Sequence, residues 1–211
     1  MKKKTALFLA LVLLACLLGG CGTENIINPY ADIPKPEAVI TMEDGSYMKF
    51  ILDPAAAPNT VSNFISLANS GYYDGLKIDY IYPTYFLRGG DPDGDGTGGP
   101  DYTIEGEFAD NGFKLPGLSH TKGVISMCRL ETNPNSAGSQ FFIMHSTHTE
   151  YDGKYAAFGY IDETDSESLN TLEKLFDVTL DKSYRPLLRQ TIKSIRVDTK
   201  GYVYEVVKYG E

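Results

Sequence analysis

Basic residues are scarce in this chain of 211 residues: 19 Lys and Arg stand against 28 Asp and Glu, a formal net charge of −9. Without a basic cluster among those acids, the chain lacks the electrostatic footprint that nucleic acid or an anionic lipid surface requires. Cysteine is nearly as rare. Cys16 and Cys21 lie close to the N-terminus, which leaves Cys128 alone in the body of the chain. A lone thiol excludes a disulfide framework and is expected at a buried, inert position. Histidine occurs three times and tryptophan not at all. His145 and His148 have H-x-x-H spacing but no suitable third ligand nearby, so they read as surface loop residues rather than a zinc centre. No serine sits in a strand-turn-helix elbow, and a Ser-His-Asp hydrolase reading fails. The acidic run Asp91-Pro92-Asp93-Gly94-Asp95-Gly96 copies the first half of a calcium loop, yet Tyr102 stands where the bidentate Glu belongs and no helix pattern precedes Asp91. No metal or cofactor is expected, although weak calcium-dependent adhesion through this loop is the third-ranked reading of function.

Long apolar runs are missing too. The run from Ala6 to Leu18, after Met1-Lys2-Lys3-Lys4, is too short to span a bilayer and reads as a secretory signal peptide over residues 1–20. It ends in Leu18-Gly19-Gly20-Cys21, which resembles a bacterial lipobox with Cys21 as the lipidated residue; Cys16 fits less well because Leu14 stands where a small residue is wanted. Removing the three leader lysines leaves 16 basic against 28 acidic residues, a charge of −12. Membrane attachment would then be hydrophobic, through acyl chains. Residues 21–36 are polar and proline-punctuated, as suits a semi-rigid tether, and one domain is expected over 37–209. The expected product is an exported lipoprotein anchored on the extracytoplasmic face of a bacterial membrane, acting as a monomer.

What the chain does have is a series of short strand patterns. Ala38 to Met42 and Tyr47 to Leu52 flank the turn Glu43-Asp44-Gly45-Ser46. Pro58 can open a helix, because its missing N–H would have been unpaired there; Val61, Phe64, Ile65 and Ala68 form one apolar stripe, and Asn69-Ser70-Gly71 ends it. Further strands are expected over Lys77 to Tyr82, Tyr85 to Arg88, Gly123 to Cys128, Gln140 to Met144 and Ala156 to Ile161. A second helix is expected over Ser166 to Phe176 with Leu169, Leu172 and Phe176 inward, then a closing hairpin of Ile192 to Val197 and Tyr202 to Lys208. There is no internal repeat. Many short strands and two helices predict a mainly β protein, a closed antiparallel β-barrel capped by two helices.

One pair of motifs is more specific: the glycine-rich loop Arg88-Gly89-Gly90-Asp91-Pro92-Asp93-Gly94-Asp95-Gly96-Thr97-Gly98-Gly99-Pro100, and further along Ser136-Ala137-Gly138-Ser139-Gln140-Phe141-Phe142-Ile143. Together they resemble the signature of the cyclophilins, peptidyl-prolyl cis-trans isomerases built on a closed β-barrel. Pro58-Asn59-Thr60-Val61-Ser62-Asn63-Phe64, Gly71-Tyr72-Tyr73-Asp74-Gly75, Glu105-Gly106-Glu107-Phe108, Leu118-Ser119-His120-Thr121-Lys122-Gly123-Val124-Ile125-Ser126-Met127 and Asp152-Gly153-Lys154-Tyr155-Ala156-Ala157-Phe158-Gly159 continue the likeness in the family's order. The resemblance implies a shallow groove for proline-containing peptides or unfolded exported proteins, needing no cofactor. It also implies an apolar proline pocket and an arginine that donates near the prolyl nitrogen. His120 would make a structural backbone hydrogen bond.

The resemblance also locates departures. Where the family has Phe-His-Arg, this chain has Ile78-Asp79-Tyr80, so Tyr80 stands at the catalytic arginine position. Where the family has Phe-Met-x-Gln-Gly-Gly, it has Tyr85-Phe86-Leu87-Arg88-Gly89-Gly90, so Arg88 replaces the groove's glutamine. Tyr155 takes the pocket histidine position, Cys128 that of an alanine, and Glu150-Tyr151 that of a Trp-Leu pair, whereas Gln140 and Phe142 are retained. The resemblance thus assigns Arg88 and Tyr80 to catalysis and Tyr85, Phe86, Cys128, Gln140, Phe142, Tyr151 and Tyr155 to substrate binding. Two readings stay open. Catalysis has moved across the hairpin to Arg88, or the groove captures peptides and isomerises them poorly. With no tryptophan and bulkier pocket positions, weak binding of the family's immunosuppressant cyclic peptide is expected.

Overall fold

The computed structural model describes residues 28–210. The expected signal peptide and the Cys21 lipidation site lie outside the described residues. Eight strands form the wall of the fold: β1 (Glu37–Met42), β2 (Tyr47–Leu52), β3 (Lys77–Tyr82), β4 (Phe86–Gly89), β5 (Val124–Met127), β6 (Phe141–Met144), β7 (Ala157–Tyr160) and β8 (Gln190–Asp198). They close into a barrel in the order β1-β2-β7-β5-β6-β4-β3-β8, with every pairing antiparallel. Alternation decides which side chains fill it. Ala38, Ile40 and Met42 on β1, and Met48, Phe50 and Leu52 on β2, point inward and are buried. The interior is one continuous apolar core that takes in Phe64, Tyr73, Phe141 and Phe158.

Two helices close the ends. α1 (Pro58–Asn69) follows the finishing end of β2 and packs on β7 and β8. α2 (Ser166–Phe176) docks where β2 begins: its Ser168 hydroxyl accepts from the Lys49 amide at 2.8 Å, and Asp165 caps its first turn by accepting from the Ser168 amide at 3.0 Å. The buried face of α2 is centred on Ser168, Thr171, Leu172 and Leu175. The expected stripe of Leu169, Leu172 and Phe176 is therefore offset, and Leu169 and Phe176 only flank the core.

α1 has no capping side chain of its own, since Ala57 precedes it. Glu107, distant in sequence and buried, does that work: its carboxylate accepts from the Asn59 amide at 3.0 Å and from the Thr60 amide and hydroxyl, both at 2.7 Å. Burial holds the Glu107 carboxyl above its ordinary range, against the opposing pull of those amides. Replacing Glu107 by alanine is expected to lower unfolding free energy by about 1–3 kcal/mol, the cost of orphaning buried donors. A urea midpoint unchanged from the parent would refute this capping role.

The closing hairpin is a correction. β8 exists, but residues 202–208 form no strand. β8 gives one edge to β1. Its other edge is met by β3 at Gln190 and Thr191, by the Gly75 and Leu76 backbone at Ile192, and by the Asn69 side chain of α1 at Val197, so the near end of the expected hairpin is already taken. The chain instead crosses back in extended form. Asn59 clamps the Val207 backbone from both sides at 2.8 Å, the Tyr204 hydroxyl donates to the Pro34 carbonyl at 2.9 Å, and the Tyr209 amide donates to the Thr103 carbonyl at 2.8 Å. No helix among the described residues is long and apolar enough to cross a membrane.

Candidate active site

The outer face of the barrel carries a second, smaller apolar cluster. Val124, Phe142, Met144 and Ala157 form its buried part, with Phe86, Cys128, Tyr151 and Tyr155 packed against it. Strand register explains the set. Leu87 and Phe141 point into the barrel, so their neighbours Phe86, Arg88 and Phe142 must face outward. Tyr80 lies opposite Arg88, Arg88 opposite Phe142, and Phe142 opposite Ser126, a single row across four strands.

Tyr80, Arg88 and Phe142 of that row border a cavity of about 760 Å³, whose far side is built by Gly96 to Pro100 and Arg129 to Glu131. Phe142 is its floor. Around it stand Phe86 at 5.3 Å between ring centroids, Tyr155 edge-on at 5.4 Å and Tyr151 at 6.1 Å. The Arg129 guanidinium lies over the Tyr155 ring at 4.7 Å, which holds Tyr155 upright as one wall. Gln140 ties the glycine loop to this wall, its Nε2 donating to the Gly98 carbonyl at 2.8 Å. Tyr80, Phe86, Arg88, Cys128, Gln140, Phe142, Tyr151 and Tyr155 therefore all border one cavity.

Tyr85 does not. It shares the parity of Leu87 rather than of Phe86 and Arg88, and it belongs to the turn before β4, not to the strand. Its ring stacks on His148 at 3.8 Å and meets Tyr82 at 4.6 Å, away from the cavity. Tyr85 thus stands one ring behind the cavity wall, since its partners Tyr82 and His148 meet Phe86 at 6.0 Å and Tyr151 at 6.3 Å.

Two arginines border the cavity: Arg129 is tied to the backbone carbonyls of Lys154, Leu130 and Glu131, whereas Arg88, in the row with Phe142, is held by a carboxylate. The Arg88 Nε donates to the Asp79 carboxylate, at 3.2 Å to the nearer oxygen, and Nη2 donates to the same group. Its guanidinium carbon lies 5.5 Å from the centre of the Tyr80 ring. Burial opposes its charge, but the hydrogen bonds and charge of Asp79 outweigh that and hold Arg88 above its ordinary value. Asp79 is the residue that sequence reading missed as a partner. Its signal was an acid and a base of unfamiliar type appearing together on paired strands. Tyr184 was also missed; its ring meets Tyr80 at 6.0 Å from the segment before β8.

Below Phe142 lies a buried polar chain. The His120 ring stacks nearly parallel to Phe142 at 5.8 Å, with Nδ1 2.8 Å from Asp152 and Nε2 3.1 Å from the Ser126 hydroxyl. The order Ser-His-Asp imitates a hydrolase, yet Ser126 and His120 are both 0% exposed, so no substrate carbonyl can reach the hydroxyl. Burial lowers the pKa of His120 despite Asp152, favouring the neutral ring. His120 also makes its backbone bond, accepting from the His148 amide at 2.9 Å.

The acidic loop is shaped by itself. Asp91 is buried, and its carboxylate accepts from the amides of Asp93 at 2.9 Å, Gly98 at 3.1 Å and Gly96. Those lone pairs are spent on the turn. Among the described residues no cluster of three potential ligands is placed to hold a metal ion.

Cys128 lies half-buried at the groove floor, where burial pushes its thiol up to about 12 although Arg88 draws it down. The thiolate is the reactive species. Alkylation at Cys128, followed residue by residue with iodoacetamide at pH 8, should be at least roughly a hundredfold slower in the folded protein than in urea. Comparable rates would overturn this.

Comparison with known proteins agrees with this geometry. The family described as cyclophilin type peptidyl-prolyl cis-trans isomerase/CLD matches residues 38–197. A peptidyl-prolyl cis-trans isomerase B of Bacillus subtilis is 42% identical over 120 residues, covering 57% of this chain and 79% of that protein. A peptidyl-prolyl cis-trans isomerase of Synechococcus elongatus is 38% identical over 139 residues, covering 66% and 88%. Among solved structures, a Cryptosporidium parvum cyclophilin type peptidyl-prolyl cis-trans isomerase, crystallised in the presence of the dipeptide Ala-Pro, aligns with a TM-score of 0.66 at 31% identity over 77% of this chain and 98% of that one. A barrel closed in this order, a groove floored by Phe142 and a family match across the whole barrel lead to one conclusion: the chain belongs to the cyclophilin-type peptidyl-prolyl cis-trans isomerases and is an enzyme.

Proposed function

We propose that this isomerase works on prolyl bonds of exported proteins, with Arg88 as the donor to the prolyl nitrogen and a lipid on Cys21 as the membrane anchor. The chemical demand is small but specific. Resonance stiffens the imide C–N bond and sets a rotation barrier of about 18–20 kcal/mol. A cation aimed at the nitrogen lone pair withdraws it from conjugation and favours the twisted state, more strongly in a dry site. The observation that carries the reading is that Arg88 lies directly opposite Tyr80 in register and borders the same cavity as Phe142. Phe142, Phe86 and Tyr155 offer the apolar enclosure a proline ring needs, and the crystals of the Cryptosporidium relative with Ala-Pro support a prolyl ligand. Uncatalysed prolyl isomerisation takes about 10–100 s at 25 °C, slow enough to limit the folding of an exported chain.

Exchange spectroscopy on an Ala-Pro peptide, with catalytic amounts of protein, tests the first half. Cis-trans cross-peaks should grow with protein concentration and shifts should map to Phe142; shifts without faster exchange would leave peptide capture as the function. Fractionation of cells making Cys21→Ala tests the second. The variant should leave the membrane fraction, and its retention there would overturn the lipid anchor.

A further inference from the structure

We infer that Asp79 is a positioning residue, holding the Arg88 guanidinium so that its Nη1 edge is presented to the prolyl nitrogen. This rests on the reading of Arg88 as the donor and adds what fixes that donor in place. The first observation is backbone geometry. β3 pairs Ile78 with Gly89 and Tyr80 with Arg88, so Asp79 is an extra residue, a bulge, at that point of the ladder. A bulge re-aims side chains. Ile78 and Ile81, three apart, both point into the barrel, and Asp79 and Tyr80 are both freed to address the groove side. In an unbroken strand Asp79 and Tyr80 would face opposite ways.

The second observation is the pattern of contacts. Asp79 is 5% exposed and spends its carboxylate on Nε and Nη2 of Arg88, while Tyr80 lies against the guanidinium face. Nη1 has no hydrogen-bond partner among the described residues, and it is not sealed from solvent, since the buried polar atom lacking a partner is His145 Nδ1. The glycine loop flanks the guanidinium's terminal nitrogens: a Cβ on Gly96 would come within 3.1 Å of Nη1 and 3.2 Å of Nη2. A flexible arginine is thereby reduced to one orientation with one free edge. Pre-organisation of that kind is what a donor to a transient lone pair requires.

The test is a two-background kinetic comparison with a prolyl peptide, with melting temperatures recorded throughout. Asp79→Asn should lower kcat about tenfold with KM changed less than about twofold, because Nη1 then wanders while the apolar pocket stays intact. Asp79→Glu keeps the charge pair and the fold but moves the carboxylate by about one C–C bond. It should still lower kcat at least fivefold. In an Arg88→Gln background, Asp79→Asn should change kcat by less than about twofold, since there is no donor left to position. An equal loss in both backgrounds, or full kcat in Asp79→Glu, overturns the positioning role. If Arg88→Gln alone leaves the rate unchanged, the donor reading itself fails and Asp79 falls with it; if Arg88→Gln slows the enzyme and both Asp79 variants do not, only the present inference is lost.

Discussion

Replacing Arg88 by alanine is expected to lower kcat/KM for a prolyl peptide by about ten- to a hundredfold. A charge-assisted hydrogen bond contributes about 1.5–3 kcal/mol, and each ~1.4 kcal/mol of transition-state stabilisation is a decade of rate. The interaction gains strength only as the imide nitrogen pyramidalises, so the loss belongs in kcat more than in KM. One structural cost accompanies it. Without Arg88, Asp79 keeps a carboxylate that is almost wholly buried and has no partner, and orphaning one half of a buried pair costs about 3–5 kcal/mol of stability. The Arg88→Gln/Asp79→Asn double variant removes both charges and isolates the catalytic loss from the folding loss. It should melt nearer the parent than Arg88→Ala while remaining slow. A double variant as fast as the parent would sink the donor reading, because nothing cationic would then remain at the row of Tyr80 and Phe142. The existing charge needs no help from pH: Asp79 holds Arg88 above an already high pKa, so this residue introduces no titration of activity between about pH 5 and 9.

How much of this was legible in the sequence depends on the range of the forces involved. Alternation is local, and it placed β1, β2 and β3 within a residue of their observed bounds. The start of α1 was legible for the same reason, since Pro58 acts on its own first turn. Barrel closure is not local. Nothing near Tyr202 to Lys208 announces that β8 has given one edge to β1 and that Asn69 of α1 holds Val197 on the other, and a hairpin was the natural reading of that segment. The site divides the same way. Motif order located the glycine loop, Gln140 and Phe142, and the same resemblance named Phe86 and Arg88, which strand register then sets on one face. Similarity to the family named Tyr85 as well, whose ring the structure sets behind the cavity wall, against Tyr82 and His148. Asp79 was overlooked as a partner because its orientation comes from a bulge, which appears only in the register between strands. Glu107 likewise caps a helix nearly fifty residues away in sequence, a contact that no spacing rule contains.

The adjacent pair Phe141 and Phe142 turns strand parity into a sharp experiment. Phe141 is fully enclosed in the barrel, edge-on to Phe64 at 5.9 Å and to Tyr73 at 5.7 Å. Phe142, one residue on, faces the groove and meets Phe86, Tyr151 and Tyr155. Truncating a buried phenylalanine costs about 3–5 kcal/mol, and more when the site cannot collapse around the void. Phe141→Ala should therefore lose stability in that range, because a closed barrel wall on every side resists collapse, while the fraction that remains folded keeps its kcat/KM. Phe142→Ala should lose less stability, since the opened space is at the surface and water can enter it. Its kinetic loss should be the larger, a KM raised by at least about tenfold for the ~1.5–3 kcal/mol that burying an apolar side chain contributes. Urea denaturation paired with isomerase kinetics on both variants separates the two. If Phe141→Ala weakened peptide binding as much as Phe142→Ala did, the division between a sealed core and a working groove would not hold, and the ring contacts around Phe142 would be packing rather than a prolyl pocket.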